Sequence, residues 1–158
     1  MKKLLIILLF FSFDSFSQIK KSDASIWSTF RTSVKIEIPD GSEFVGKANV
    51  LTEIIAEMYK KDNYYYVIYE NQDFILYPGY DSFVFNDEDG FFDMLHKSII
   101  EFIDAKGKKA ESFDLPEGTL TLNKIIKFVN FNFTNKKGST SKSGFMNKKQ
   151  INKLFGKD

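Results

Sequence analysis

The chain has 158 residues, with no cysteine, one histidine and one tryptophan. The absence of cysteine excludes a disulfide framework, a lipid-modified cysteine, a thiol nucleophile and cysteine-ligated zinc, and a single histidine excludes a two-histidine metal site within one chain. Basic and acidic residues number 22 and 21, yet they are unevenly spread: residues 18 to 123 carry a net charge of −8, and residues 124 to 158 hold nine lysines and one acid, a net of +8.

Residues 1 to 17 have the layout of a secretory signal peptide. Lys2 and Lys3 precede the unbroken apolar run Leu4 to Phe11, and Ser15-Phe16-Ser17 places small residues at the proposed cut before Gln18. A spanning helix needs about 20 apolar residues, and Asp14 interrupts this run too early. The expected product is residues 18 to 158, a single α+β domain that is periplasmic or secreted, with no membrane span after cleavage. A chain of that size buries roughly two-thirds of its unfolded surface and needs no disulfide or metal to fold.

Ile26, Trp27 and Phe30 are spaced for one or two helical turns, and Val34 to Ile38 alternates as a half-buried strand. Pro39-Asp40-Gly41 makes a turn, after which Glu43 to Lys47 reads as a short returning strand. From Asn49 to Lys60 the spacing of Leu51, Ile54, Ile55 and Met58 predicts a helix. The competing reading keeps Ile54 to Tyr59 as a strand that turns at Lys61-Asp62-Asn63, but Ala56, Met58 and two glutamates favour the helix. Asn63 to Glu70, Asp73 to Tyr77 and Ser82 to Phe85 read as three successive strands, with a tight hairpin at Asn71-Gln72 and a turn at Pro78-Gly79.

Phe92, Leu95, Ile99, Phe102 and Ile103 mark a helix from about Gly90 to Ala105, ended by Gly107. Lys106 to Gly118 reads as a loop, and Leu120 to Ile126 is ambiguous. Phe128 to Phe133 alternates with Asn130 and Asn132 and reads as a strand. Asn135 to Ser143 reads as a polar loop, with Phe145 ending a short strand. Asn147 and Gln150 stand at capping-box spacing before Ile151, Leu154 and Phe155, with Gly156 closing a short helix. Together these elements predict a mainly antiparallel, aromatic-rich sheet packed against two main helices, with a short C-terminal helix.

The chemical constellations are sparse. Asn86-Asp87-Glu88-Asp89-Gly90 resembles part of a calcium loop. With Gly90 at its glycine position, however, Phe85 and His96 fall where oxygen ligands are required. A helix start capped by Asp87 or Asp89 explains the run better. His96 lies beside an apolar helix stripe with no nucleophile elbow or orienting frame, so it reads as structural. No metal site, phosphate loop or dinucleotide fingerprint is found, and no cofactor is expected.

Tyr64 and Tyr66 share one strand face with Ile68, while Tyr65 and Tyr69 share the other with Val67. Either set can stack on a ligand or pack in the core. The basic C-terminal segment either packs beside the acidic body or meets an anionic partner. It contains no arginine, the residue preferred for gripping phosphate, so no nucleic acid is expected. The expected function is an exported, non-enzymatic binding or interaction module of the bacterial cell envelope, meeting an envelope protein or anionic polymer. Its expected contact residues are Tyr64, Tyr66, Tyr69, Lys136, Lys137, Lys142, Lys148 and Lys149. The alternative is a small carboxylate-based hydrolase acting on an envelope polymer, since glycosidase chemistry needs only two acids at the right separation.

Overall fold

The computed structural model describes residues 38–73 and 79–157. The expected signal peptide, the segment around Trp27, the strand expected at 34–38 apart from its last residue, and nearly all of the strand expected at 73–77 lie outside the described residues.

Two antiparallel sheets are present. The first has the order β1-β2-β3-β4, formed by Glu43–Val50, Glu53–Lys61, Tyr64–Asn71 and Gly79–Asn86. A 3-10 turn, Glu88–Gly90, leads into α1, Phe91–Asp104. The second sheet has the order β5-β6-β7-β8, formed by Ala110–Leu115, Gly118–Ile125, Phe128–Asn135 and Thr140–Lys142. The short β9, Met146–Asn147, pairs with β7 beside β8, and α2, Lys148–Leu154, follows directly. The antiparallel α+β character agrees with the sequence; the single sheet does not, because the strands divide into two.

The two sheets share an aromatic core. On β4, Phe83 meets Phe131 edge-on at 5.6 Å and Phe133 at 5.8 Å. Tyr65 stacks on Phe92 of α1 at 4.4 Å and on Phe85 at 5.2 Å. The face of α1 bearing Leu95, Ile99, Phe102 and Ile103 is buried, as its 3.6-residue period requires.

The helix expected over 49–60 is not formed. Val50 and Glu53 pair across a two-residue turn, and 53–61 is a strand bonded to β1 on one side and β3 on the other. Its inner residues Ala56 and Met58 are buried, whereas Leu51 is 91% exposed rather than part of the core. Helix propensities of a few tenths of a kcal/mol per residue lose to hydrogen bonding with β1 on one edge and, from Ala56 to Lys61, with β3 on the other, so the competing strand reading is the one the fold adopts. Similarly, Asn71 pairs with Gly79 rather than closing a tight hairpin with Gln72, because β4 fills the free edge of β3. The expected loop at 106–118 contains β5, whose Phe113 and Leu115 pair with Leu120 and Gly118. Within the expected loop at 135–143, β8 pairs with β7.

Both helix starts behave as their residues dictate. The Asp87 carboxylate accepts from the Phe92 N–H at 2.8 Å, which satisfies one free donor of the first turn of α1. At α2 the capping box is complete: Gln150 N–H donates to Asn147 Oδ1 at 3.0 Å, and Asn147 N–H to Gln150 Oε1 at 2.8 Å. Gln150 Nε2 also donates to the Asn49 carbonyl at 2.8 Å, tying α2 to the end of β1. The closeness of this packing depends on Gly46. A Cβ there would stand 2.0 Å from the Lys153 carbonyl oxygen and 2.7 Å from that of Leu154.

Candidate functional site

The two outer sheet faces differ in chemistry. On the second sheet the outward rows are polar and charged: Ser112, Thr121, Asn132 and Lys142 in one row, Asp114, Thr119, Thr134 and Thr140 in the next. On the first sheet, register places Phe44, Tyr59, Tyr66 and Val84 side by side across all four strands. Phe44 and Tyr59 meet edge-on at 5.6 Å. Tyr64 stands two residues before Tyr66 on the same face, next to Lys61 and Asn86. Phe44 and Tyr64 are 54% and 44% exposed, and Tyr59 and Tyr66 are half-buried. A row of aromatic faces of this kind presents apolar area and phenolic hydroxyls together, the combination that stacks on sugar rings or planar groups.

Tyr69 does not belong to that row. It is 1% exposed on the inner face, and its hydroxyl lies 2.7 Å from Ser141 Oγ. Burial pushes the Tyr69 phenol well above its ordinary range, with the Ser141 bond working in the opposite direction. A surface role for Tyr69 is therefore corrected to a core role. The reason is the pleat: Tyr69 follows Tyr65 and Val67 at period two, and that face meets the second sheet. Phe44 and Tyr59, which the row adds, were missed because the residues around Tyr59 read as a helix.

The five lysines are not brought together. Lys136 and Lys137 sit in the β7–β8 hairpin. Lys142 is paired with Asp73 at 2.6 Å, and Lys148 with Asp104 at 2.9 Å. Lys149 lies on α2 beside a groove that also includes Leu51, Phe128 and Phe145. Lys157, near the chain end, bonds Asp93 at 2.6 Å. The lysine partners hold the Asp93 and Asp104 carboxyls below their ordinary value of 3.8. Part of the basic segment thus answers the protein's own acids, while Lys136, Lys137 and Lys149 have no carboxylate within 4.0 Å among the described residues. Lys124 is likewise turned inward: its ammonium donates to the carbonyls of Phe102, at 2.7 Å, and Ala105. It thereby neutralises the negative end of α1.

His96 ties the helices together. Its Nε2 is 3.0 Å from Asn152 Oδ1, and its ring packs on Phe155 at 5.1 Å. Two carboxylates, Glu57 and Glu70, flank Ile68 on the outer face of the first sheet. Both line a dip whose cavity volume is about 10 Å³, room for about one water. Burial, with the Glu53 charge second, raises the Glu70 carboxyl above its ordinary value of 4.5. Glu57 accepts a bond from the Tyr59 hydroxyl at 2.9 Å.

No protein-family model, curated protein or solved structure matches this chain.

Proposed function

We propose that this chain is an exported, non-enzymatic binding module of the bacterial cell envelope, acting in the periplasm or outside the cell on an envelope protein or anionic polymer. The observation that carries this reading is the aromatic row Phe44–Tyr59–Tyr66 on the outer face of the first sheet, with Tyr64 beside it, of which Phe44 and Tyr64 are exposed. Phe44 and Tyr64, the exposed members, supply contact area that the core does not use. Export rests on the leader at 1–17.

The test is retention of the mature chain on isolated envelope polymers and on envelope protein extract. Tyr64→Ser with Tyr66→Ser should abolish retention while leaving the melting temperature near that of the parent. A second arm replaces Lys136 and Lys137 by glutamine and varies salt, which weakens contacts between exposed charges. Equal retention of the tyrosine variant and the parent on every fraction would overturn this reading.

A second reading, a carboxylate-based hydrolase, draws on Glu57 and Glu70 in their shared dip. Release of soluble fragments from an envelope polymer, lost in both Glu57→Gln and Glu70→Gln, would establish it in place of the first.

A further inference from the structure

At one end of the molecule two hairpins close in two-residue turns, Leu51-Thr52 between β1 and β2 and Ile126-Lys127 between β6 and β7. In each, the first turn residue has a positive φ, 53° at Leu51 and 58° at Ile126. Glycine, asparagine or aspartate ordinarily fills such a position, as Asp62 does between β2 and β3 at φ 53°. A leucine or β-branched isoleucine is strained there. Both side chains also stand in water: Ile126 is 82% exposed and Leu51 more so. Two aliphatic residues therefore occupy positions unfavourable both for backbone and for solvation, and stability of the free protein explains neither.

The surroundings of the tips are basic. Lys149 and Lys153 line the groove running from Leu51 to Phe128. Lys106, Lys109 and Lys127 line the adjoining hollow with Ile126. Against them stand Glu53, beside the first tip, and Asp104, already held by Lys148.

We infer that this end of the molecule docks on an anionic lipid surface, with Leu51 and Ile126 entering the boundary between headgroups and acyl chains and the surrounding lysines meeting the headgroups. Protruding aliphatic apices ringed by ammonium groups match that boundary, because the apolar tip goes down while the flexible lysine stem keeps its charge in the headgroup layer. Val50, Ile125, Phe128 and Phe145 are exposed beside the tips and widen the apolar surface that would enter the boundary. A protein partner is a poorer fit, since arginine, enriched at interface cores, is absent from these surroundings among the described residues. Lysine without arginine suits a diffuse anionic surface, where charge matters and bidentate geometry does not. Leu51 lies at the opposite end of β2 from Tyr64, so this inference is independent of the aromatic row.

The experiment is co-sedimentation of the mature chain with vesicles of phosphatidylcholine alone and of phosphatidylcholine mixed with phosphatidylglycerol. The parent should bind the mixed vesicles at low salt and release at high salt. Leu51→Asn with Ile126→Asn should lose binding while folding at least as well, because asparagine tolerates positive φ. Replacing Lys106, Lys109, Lys127, Lys149 or Lys153 singly by glutamine should weaken binding by up to about fivefold each. The chain has no cysteine, so an environment-sensitive dye can be placed on Leu51→Cys or Ile126→Cys. Its emission should shift to the blue on the mixed vesicles, and a dye on Lys136→Cys, at the far end of β7, should not. Four outcomes would overturn the inference: no binding to mixed vesicles at low salt, binding unchanged in the asparagine variant, binding unchanged in all the glutamine variants, or an equal dye shift with polyglutamate, which would point to an acidic protein instead.

Discussion

The hydroxyl of Tyr69 on β3 lies 2.7 Å from that of Ser141 on β8, across 72 residues of sequence, and both side chains are buried. Around this bond the two sheets are sewn together. The Gln72 N–H donates across the sheets to the Lys142 carbonyl at 2.9 Å, while on the second-sheet side the Ser143 N–H donates to the Phe131 carbonyl at 2.8 Å. Ser143 Oγ in turn accepts from the Phe131 N–H at 2.9 Å. β8 is thus the shared seam: it extends the second sheet and, where that sheet ends, bonds the end of the first.

Removing one hydroxyl of the pair strands the other in the core. Tyr69→Phe and Ser141→Ala should each destabilise the fold by about 1–3 kcal/mol. The double variant should lose less than the sum, since neither partner is then left unpaired. Urea unfolding of the three variants measures this; strict additivity would show that the two hydroxyls are not coupled.

Gly46→Ala places a methyl group 2.0 Å from the Lys153 carbonyl oxygen. Neither β1 nor the last turn of α2 can yield as a side chain would, so destabilisation at or above the upper end of the roughly 1–3 kcal/mol range for overpacking is expected. Thermal unfolding reads it directly, and an unchanged melting temperature would mean that α2 does not rest on β1 in solution.

Leu95 and Leu51 make a paired test of which leucine is core. Leu95 is 1% exposed, and Leu95→Ala should cost about 2–5 kcal/mol. Leu51→Ala should stay within about 0.5 kcal/mol of the parent. Comparable losses at the two sites would restore the helix expected over 49–60.

Glu70 offers a test in pH. Its carboxyl is raised by burial and by Glu53, so the folded state holds the proton more tightly than the unfolded state does. Stability is therefore lost as pH rises from the unfolded value near 4.5 through the higher folded value, and the deficit persists at neutral pH. Glu70→Gln should raise the melting temperature at pH 7, and the advantage should shrink as the pH falls toward 4.5. An advantage that is constant with pH would assign the effect to packing. At lower pH the opposite sign applies to Asp93 and Asp104, whose lowered carboxyls contribute stability that fades as each is protonated below 3.8.

What was legible in the sequence is what a single element decides for itself. The stripe of α1 repeats at 3.6 residues and is buried where it repeats. The Asn147–Gln150 box caps α2 as its spacing requires, and the alternation of Phe128 to Phe133 is a strand. In each of these, period, propensity and burial agree within one window. Elsewhere the chain is ambiguous at short range, and only the tertiary structure decides. The window from Leu51 to Met58 carries a helical spacing, yet β1 and β3 take its backbone hydrogen bonds. Phe113 and Leu115 look like loop residues until β6 pairs with them. The same holds for the candidate site. That Tyr64 and Tyr66 face opposite to Tyr65 and Tyr69 follows from the pleat alone. Which set meets water depends on where the second sheet packs, a contact formed by residues some 60 positions further along the chain. The charge asymmetry between the two parts of the chain is written in the composition, but its partition into pairs such as Lys142–Asp73 and lysines left facing solvent is a matter of three-dimensional placement. Pairing between strands and ions is non-local, and no local pattern of residues encodes the partner's position.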